Sequence, residues 1–371
     1  MNIGIDAKVL AKRRTGIGIY VEQIVKYFSL LDTEDEFYLF TNQNFSLNFD
    51  LGKNFHQVVV HPKLKSLGII FCLDEYLKKY KIDVFWGTEH IVPWTNVCKT
   101  VVTIHDLAVL MNPTLGTRKN AIIQKLFTIP SCRRADKIIA ISNSTKRDVI
   151  KLSSVNEDKV EVIYNGDSPY NHRVSNITAD QENTIRKKFS LYEKYFLFVS
   201  TIEPRKNVPT IIKAYNAFRS TVKEGYKFVL AGGLGWRYEA SLREIELSPY
   251  KEDIIMTGYC SDIEREFLYR NGECLLFPSL YEGLGLPIIE AMSVGLPVIT
   301  ADNSSLHEVG GDVAFYVDNS LDFKGLSHLM RKVVDLSDCE RQKLSEHEIQ
   351  RAHSFSRQKC AEQILKLIKS I

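Results

Sequence analysis

The stretch CLLFPSLYEGLGLPIIEAMSVGLPVIT, Cys274 to Thr300, decides the fold. CLLF and LPVITA are continuous apolar runs, the pattern of strands buried on both faces. Between them Pro287 suits the first turn of a helix, where its missing N–H costs nothing. Ile288, Ile289 and Met292 then turn toward a core. Strand, helix, strand is the unit of a parallel sheet covered by helices. Two carboxylates, Glu282 and Glu290, frame the helix start, where backbone N–H groups favour anions. Helical side chains lean toward the N-terminus. Glu290, placed in the first turn, is therefore expected to reach back and meet Glu282 beside the N–H groups of Gly285 and Leu286.

The same rhythm runs outward in both directions. Upstream lie NIGID, FYLFT, HQVVV, DVFWG, TVVTIH, KIIAIS and VEVIY. Later come YFLFVS, KFVLAGG, DIIMTG and VAFYV. Helical patterns such as GIYVEQIVKYFSLL, NSTKRDVIKLS, NVPTIIKAYNAFRS and IEREFLYRN separate them. A polar stretch, NGDSPYNHRVSNITADQENTIRKKFS, breaks the series and marks a domain boundary. The expectation is two α/β, doubly wound, Rossmann-like domains facing across a cleft. Residues 1–180 form the first and 181–354 the second. Residues 355–371, with apolar Cys360, Ile364, Leu365, Leu367 and Ile368, read as an amphipathic last helix.

A chain of 371 residues suits two domains. Its 48 basic and 45 acidic residues leave a net charge of +3, too balanced to argue for nucleic acid. Seven scattered cysteines form no C-x-x-C pair and read as buried free thiols of a reducing, cytoplasmic setting. No apolar window is long enough to span a bilayer, and the N-terminus does not read as a signal peptide. No Asp-x-Asp or His/Cys cluster with ligand spacing is present, so no metal is expected.

Ligands of open α/β sheets bind beyond the carboxyl ends of the strands. His105 directly follows the run TVVTI and is a candidate site residue, with a structural imidazole as the plain alternative. Gly16 and Gly18 lead into a helix and would let the backbone approach a ligand. They are not G-x-G-x-x-G, and FYLFTNQN offers no acidic residue after the next strand, which disfavours a dehydrogenase. Arg205 and Lys206 follow the run YFLFVS and suit a diphosphate, the guanidinium as a fork of donors and the ammonium as a point charge. A solvated basic turn is the alternative. With diphosphate on the cations and hydroxyls on the carboxylates, a nucleoside diphosphate sugar fits the set.

At these residues the chain resembles the retaining glycosyltransferases of family four, which have the GT-B fold. The resemblance rests on the E-x7-E element Glu282–Glu290, TGIG at Thr15–Gly18, His105-Asp106, ISNSTKRD at Ile141–Asp148, VIYNGD at Val162–Asp167 and TIEPRKN at Thr201–Asn207. The last of these is similar to bacterial mannosyl- and rhamnosyltransferases of surface polysaccharide. Ser200 and His307 stand where relatives often have Gly and Pro.

The resemblance implies roles. Glu282 would hold donor-sugar hydroxyls and Glu290 the ribose. Arg205 and Lys206 would neutralise the diphosphate, with Gly285 and Leu286 lending N–H groups. The Gly16 loop would close over it, and His105 would touch the sugar near its reacting face. The last helix would cross back to the first domain. The implied activity is metal-independent transfer of a hexose, with GDP-mannose as the expected donor and no cofactor. The acceptor would be a saccharide or lipid-linked saccharide of polysaccharide or lipopolysaccharide synthesis. Lys8–Arg14 and Thr117–Asn120 would then be basic faces toward a lipid-linked acceptor at the inner membrane face, or simply solvated. A nucleotide-sugar epimerase or hydrolase on the same fold, or a non-catalytic donor-binding partner subunit, are the competing readings.

Overall fold

The computed structural model describes residues 1–11, 16–60, 73–166 and 177–371. Among the described residues thirteen strands fall on the thirteen apolar runs, and every pair of these strands is parallel. The chain divides into two compact units, Met1–Gly166 with Ser356–Ile371, and Asp167–Phe355. The division falls at the start of the polar stretch rather than at residue 180. The helix Ala179–Phe189, whose apolar Ile185 and Phe189 are buried, goes with the second unit.

In the first unit the strands are β1 (Asn2–Asp6), β2 (Glu36–Thr41), β3 (Phe55–Val59), β4 (Val84–Gly87), β5 (Lys99–Ile104), β6 (Lys137–Ala140) and β7 (Val160–Val162). Their order in the sheet is β3-β2-β1-β4-β5-β6-β7. The order reverses between β1 and β4, so the loops leaving these two strands diverge to opposite faces and open a crevice at their carboxyl ends. Helix α1 (Gly16–Leu31) covers one face with Tyr20, Val21, Ile24, Val25 and Phe28. Helix α2 (Asn143–Ser153) opens on the Ser142 hydroxyl, which accepts from the Thr145 N–H at 3.1 Å.

The second unit repeats the plan. Its strands are β8 (Lys194–Val199), β9 (Tyr226–Ala231), β10 (Ile254–Gly258), β11 (Cys274–Phe277), β12 (Val298–Ala301) and β13 (Phe315–Val317), in the order β10-β9-β8-β11-β12-β13. The reversal lies between β8 and β11. The helices that matter for the site are α3 (Val208–Arg219), α4 (Asp262–Asn271) and α5 (Leu286–Ser293). Close approach dictates one glycine: a Cβ on Gly232, at φ +151, would lie 1.9 Å from the Ser200 carbonyl oxygen.

The last helix, α6 (Arg357–Lys369), belongs to the first unit. Cys360, Ala361, Ile364 and Ile368 are buried in the core that contains Tyr20, Ile24 and Phe28 of α1. At its end Lys369 Nζ lies 2.5 Å from Asp32 Oδ2 and 2.7 Å from Asp35 Oδ2, just past α1. The family-four expectation that this helix returns to the first domain describes what the fold does.

Candidate active site

The reversal between β8 and β11 sets the loop after Val199 beside the loop after Phe277. The Leu280 N–H donates to the Arg205 carbonyl at 2.8 Å, stitching the two together. Asn207, in the left-handed region at φ 59, donates from its amide to the Pro278 carbonyl at 3.1 Å. The side chains then converge. Lys206 Nζ lies 2.6 Å from Glu282 Oε1, and an Arg205 terminal nitrogen 2.8 Å from Glu282 Oε2. Arg205 Nε also donates to Glu203 Oε1 at 3.1 Å. Glu282 is 5% exposed and Lys206 6%. The Ser304 and Ser305 hydroxyls pin the Glu282 backbone, one accepting from its N–H at 3.0 Å and one donating to its carbonyl at 2.9 Å.

Burial alone would push the Glu282 carboxyl up. The charges of Arg205 and Lys206 outweigh it and hold the group below the usual carboxylate range. Burial also dominates at Lys206 and holds the ammonium below the ordinary lysine range. Glu282 opposes that shift and Arg205 adds to it. Lys206 pairs with Glu282, and Arg205 is shared between Glu282 and Glu203, so two cations face two carboxylates.

The sequence reading gave Glu282 to hydroxyls and the two cations to phosphate as separate tasks. The structure joins all three in one ion cluster, and adds Glu203, which the sequence reading passed over although it stands two residues before Arg205.

Glu290 does not join this cluster. It is the fifth residue of α5, just past the first turn in which it was expected, and that turn holds no acidic residue. Its partner is not Glu282 but the Tyr269 hydroxyl on α4, which donates to Glu290 Oε2 at 2.7 Å. Gly285 is the residue before α5, at φ +94, and no side chain caps the helix there. The N–H groups of the Gly285–Leu286 turn are thus not taken by a capping side chain.

In the first unit His105 follows β5 directly, as the sequence implied. Its Nε2–H donates to the Thr88 carbonyl at 2.9 Å, and Thr88 in turn donates to the Asp6 carbonyl at 2.7 Å. The loops after β1, β4 and β5 meet there. Burial, with the His90 ring beside it, holds the His105 pKa down at about 4, although the Thr88 bond and nearby Asp106 and Glu89 oppose the shift. His105 is therefore a neutral imidazole at neutral pH with its proton fixed on Nε2. The Tyr20 ring meets it edge-on, centroids 5.2 Å apart.

Gly16 and Gly18 are the first and third residues of α1 rather than a loop before it, and a Cβ on Gly16 would meet nothing within 4 Å. Thr15, Asp167 and Cys72 lie outside the described residues, as do Lys12, Arg13 and Arg14 of the basic stretch. Lys8 of that stretch pairs with Asp6 at 3.0 Å. His307 lies 2.9 Å from Asp302 and stacks on Tyr316, a local arrangement of its own. Among the described residues no group of three His, Cys, Asp or Glu could hold a metal ion. No described helix is long and apolar enough to cross a membrane.

Comparison with known proteins follows the same division. Residues 180–351 match the family model described as Glycosyl transferases group 1, and residues 15–167 the one described as Glycosyltransferase Family 4. The chain is 25% identical over 312 residues to the O-antigen chain mannosyltransferase B of Escherichia coli, across 84% of this chain and 78% of that protein. It is 31% identical over 273 residues to a serotype-specific mannosyltransferase of Escherichia coli, across 71% of this chain but 32% of that longer protein. Among solved structures, a glycosyltransferase from Rickettsia africae shares the fold with a TM-score of 0.72 at 17% identity, covering 100% of this chain and 97% of that one.

Proposed function

The chain belongs to the family-4 glycosyltransferases, and on that footing we propose that it moves mannose from GDP-mannose to a hydroxyl of a saccharide or lipid-linked saccharide. The transfer retains the anomeric configuration and uses no metal. The single observation that carries the reading is the buried Arg205–Lys206–Glu282 cluster at the strand-order reversal of the second unit. The choice of mannose and of a surface polysaccharide rests on the names of the relatives.

As the bond from the sugar to the diphosphate breaks, negative charge grows on the leaving phosphate. Arg205 and Lys206 are already fixed where that charge would develop, so no reorganisation is needed at the moment of reaction. Glu282 keeps both cations in place. An ionised carboxylate has about four acceptor positions, so after binding both cations it still accepts from sugar hydroxyls. The N–H groups of the Gly285–Leu286 turn add donors for a phosphate oxygen. Glu290 accepts from the ribose. His105, neutral and tautomer-fixed, is suited to accept a hydrogen bond at Nδ1 from a sugar hydroxyl rather than to shuttle a proton. The acceptor's proton passes to a donor phosphate oxygen.

The test is release of GDP from GDP-mannose, measured with and without lipid-linked saccharides and with a chelator present. Release that needs an acceptor, survives the chelator and gives an α-linked product supports the proposal. Release without acceptor makes the protein a hydrolase. Binding without release makes it a donor-binding subunit.

A further inference from the structure

Tyr269 meets the site through Glu290. It sits near the end of α4, is 0% exposed, and points its hydroxyl at Glu290 across the seam between α4 and α5. Both helices run back from the carboxyl ends of strands, and their side chains lean toward their N-termini. The phenol, rooted near the far end of α4, therefore points back along its helix, where it meets the Glu290 carboxylate.

A glutamate carboxylate turns easily about its last bond, because that torsion has only broad, shallow wells. Glu290 is half-buried and, of its two oxygens, Oε2 is tethered by the phenol. The phenol cannot move, because its ring is enclosed. We propose that Tyr269 is a positioning residue: it fixes the plane of the Glu290 carboxylate so that the carboxylate meets the vicinal hydroxyls of the donor's ribose. It thereby sets how strongly the site prefers a ribonucleoside diphosphate over its dideoxy form. This rests on the reading of Glu290 as the ribose acceptor.

The experiment is calorimetric binding of GDP, UDP and their 2′,3′-dideoxy forms to the full chain, to Tyr269→Phe and to Glu290→Gln. The ratio of ribo to dideoxy affinity is the readout, because a loss of general packing does not change a ratio. The wild type is expected to favour the ribonucleotide by about tenfold or more, the worth of a hydrogen bond to a charged group. Tyr269→Phe is expected to remove most of that preference while leaving dideoxy binding unchanged. If Tyr269→Phe does not fold, Tyr269→Met, which fills irregular space without a donor, takes its place.

A ratio that collapses in Glu290→Gln but stays intact without the Tyr269 hydroxyl overturns the inference and leaves the donor-site reading standing. Equal loss of both affinities in Tyr269→Phe makes the tyrosine structural and also overturns it. A wild type that binds both forms equally, or neither, overturns the ribose reading itself.

Discussion

Lys206 and Glu282 meet at 2.6 Å inside the second unit, each less than a tenth exposed, although they stand on loops that follow different strands. Breaking such a pair leaves a buried charge, whereas replacing both partners with apolar groups is often neutral or stabilising. The fold therefore gains little from it, which fits the role proposed for Lys206 as a diphosphate contact.

A proton linkage follows. Lys206 is held below the ordinary lysine range in the free protein. A bound diphosphate adds negative charge beside it and raises its pKa. In the alkaline window between the two values, binding takes up a proton, and affinity falls as pH rises through the free-protein value. Calorimetry of nucleotide binding in two buffers of different ionisation enthalpy measures this directly. Uptake is expected in that window for the wild type and not for Lys206→Met; affinity that increases with pH would contradict it.

His105 gives the first unit an acid sensitivity. Its pKa is about 4 when folded against an ordinary 6.5. The unfolded chain binds the proton first, so the stabilisation is complete above pH 6.5 and lost as pH falls from 6.5 to 4. The loss amounts to roughly 3 kcal/mol. Urea unfolding of the first unit should show that decline in the wild type and much less of it in His105→Gln, which keeps a donor for Thr88 but does not titrate. Parallel declines in both proteins would assign the effect elsewhere.

The last helix holds by burial more than by charge. Ile364 is 0% exposed against the α1 core, and Ile364→Ala should cost about 2–5 kcal/mol. Lys369, with a side chain 40% exposed, is screened by solvent. Lys369→Ala should cost about 1 kcal/mol or less despite two short ion pairs. Denaturation midpoints of the two variants give the order, and a larger loss for Lys369→Ala would refute the argument.

Much of this was readable beforehand. Parallel strands buried on both faces write themselves as apolar runs, which is why CLLF, LPVITA and NIGID all proved to be strands. Asn143–Ser153 was readable to the residue because Ser142 is a strong cap. The placement of Arg205, Lys206 and His105 just after strands was legible, because it depends only on where the apolar runs end. The site was illegible where it depends on contact between segments distant in the chain. Tyr269 lies in IEREFLYRN, where a tyrosine on an amphipathic helix reads as core, and no local signal says that its hydroxyl meets Glu290. The turn count before Glu290 failed because the helix starts at Leu286, one residue ahead of Pro287, with Gly285 at φ +94 as the residue before it. The joining of Glu282 to both cations required the strand order, which apolar runs do not specify.

The central claim is that Arg205 and Lys206 receive the donor's diphosphate, and calorimetric titration of GDP into the wild type and Lys206→Met tests it without knowledge of the acceptor. The account predicts measurable binding to the wild type and roughly tenfold to hundredfold weaker binding to the variant, the loss of a charge-assisted contact. Equal affinity in the two proteins, with the variant folded, would contradict it.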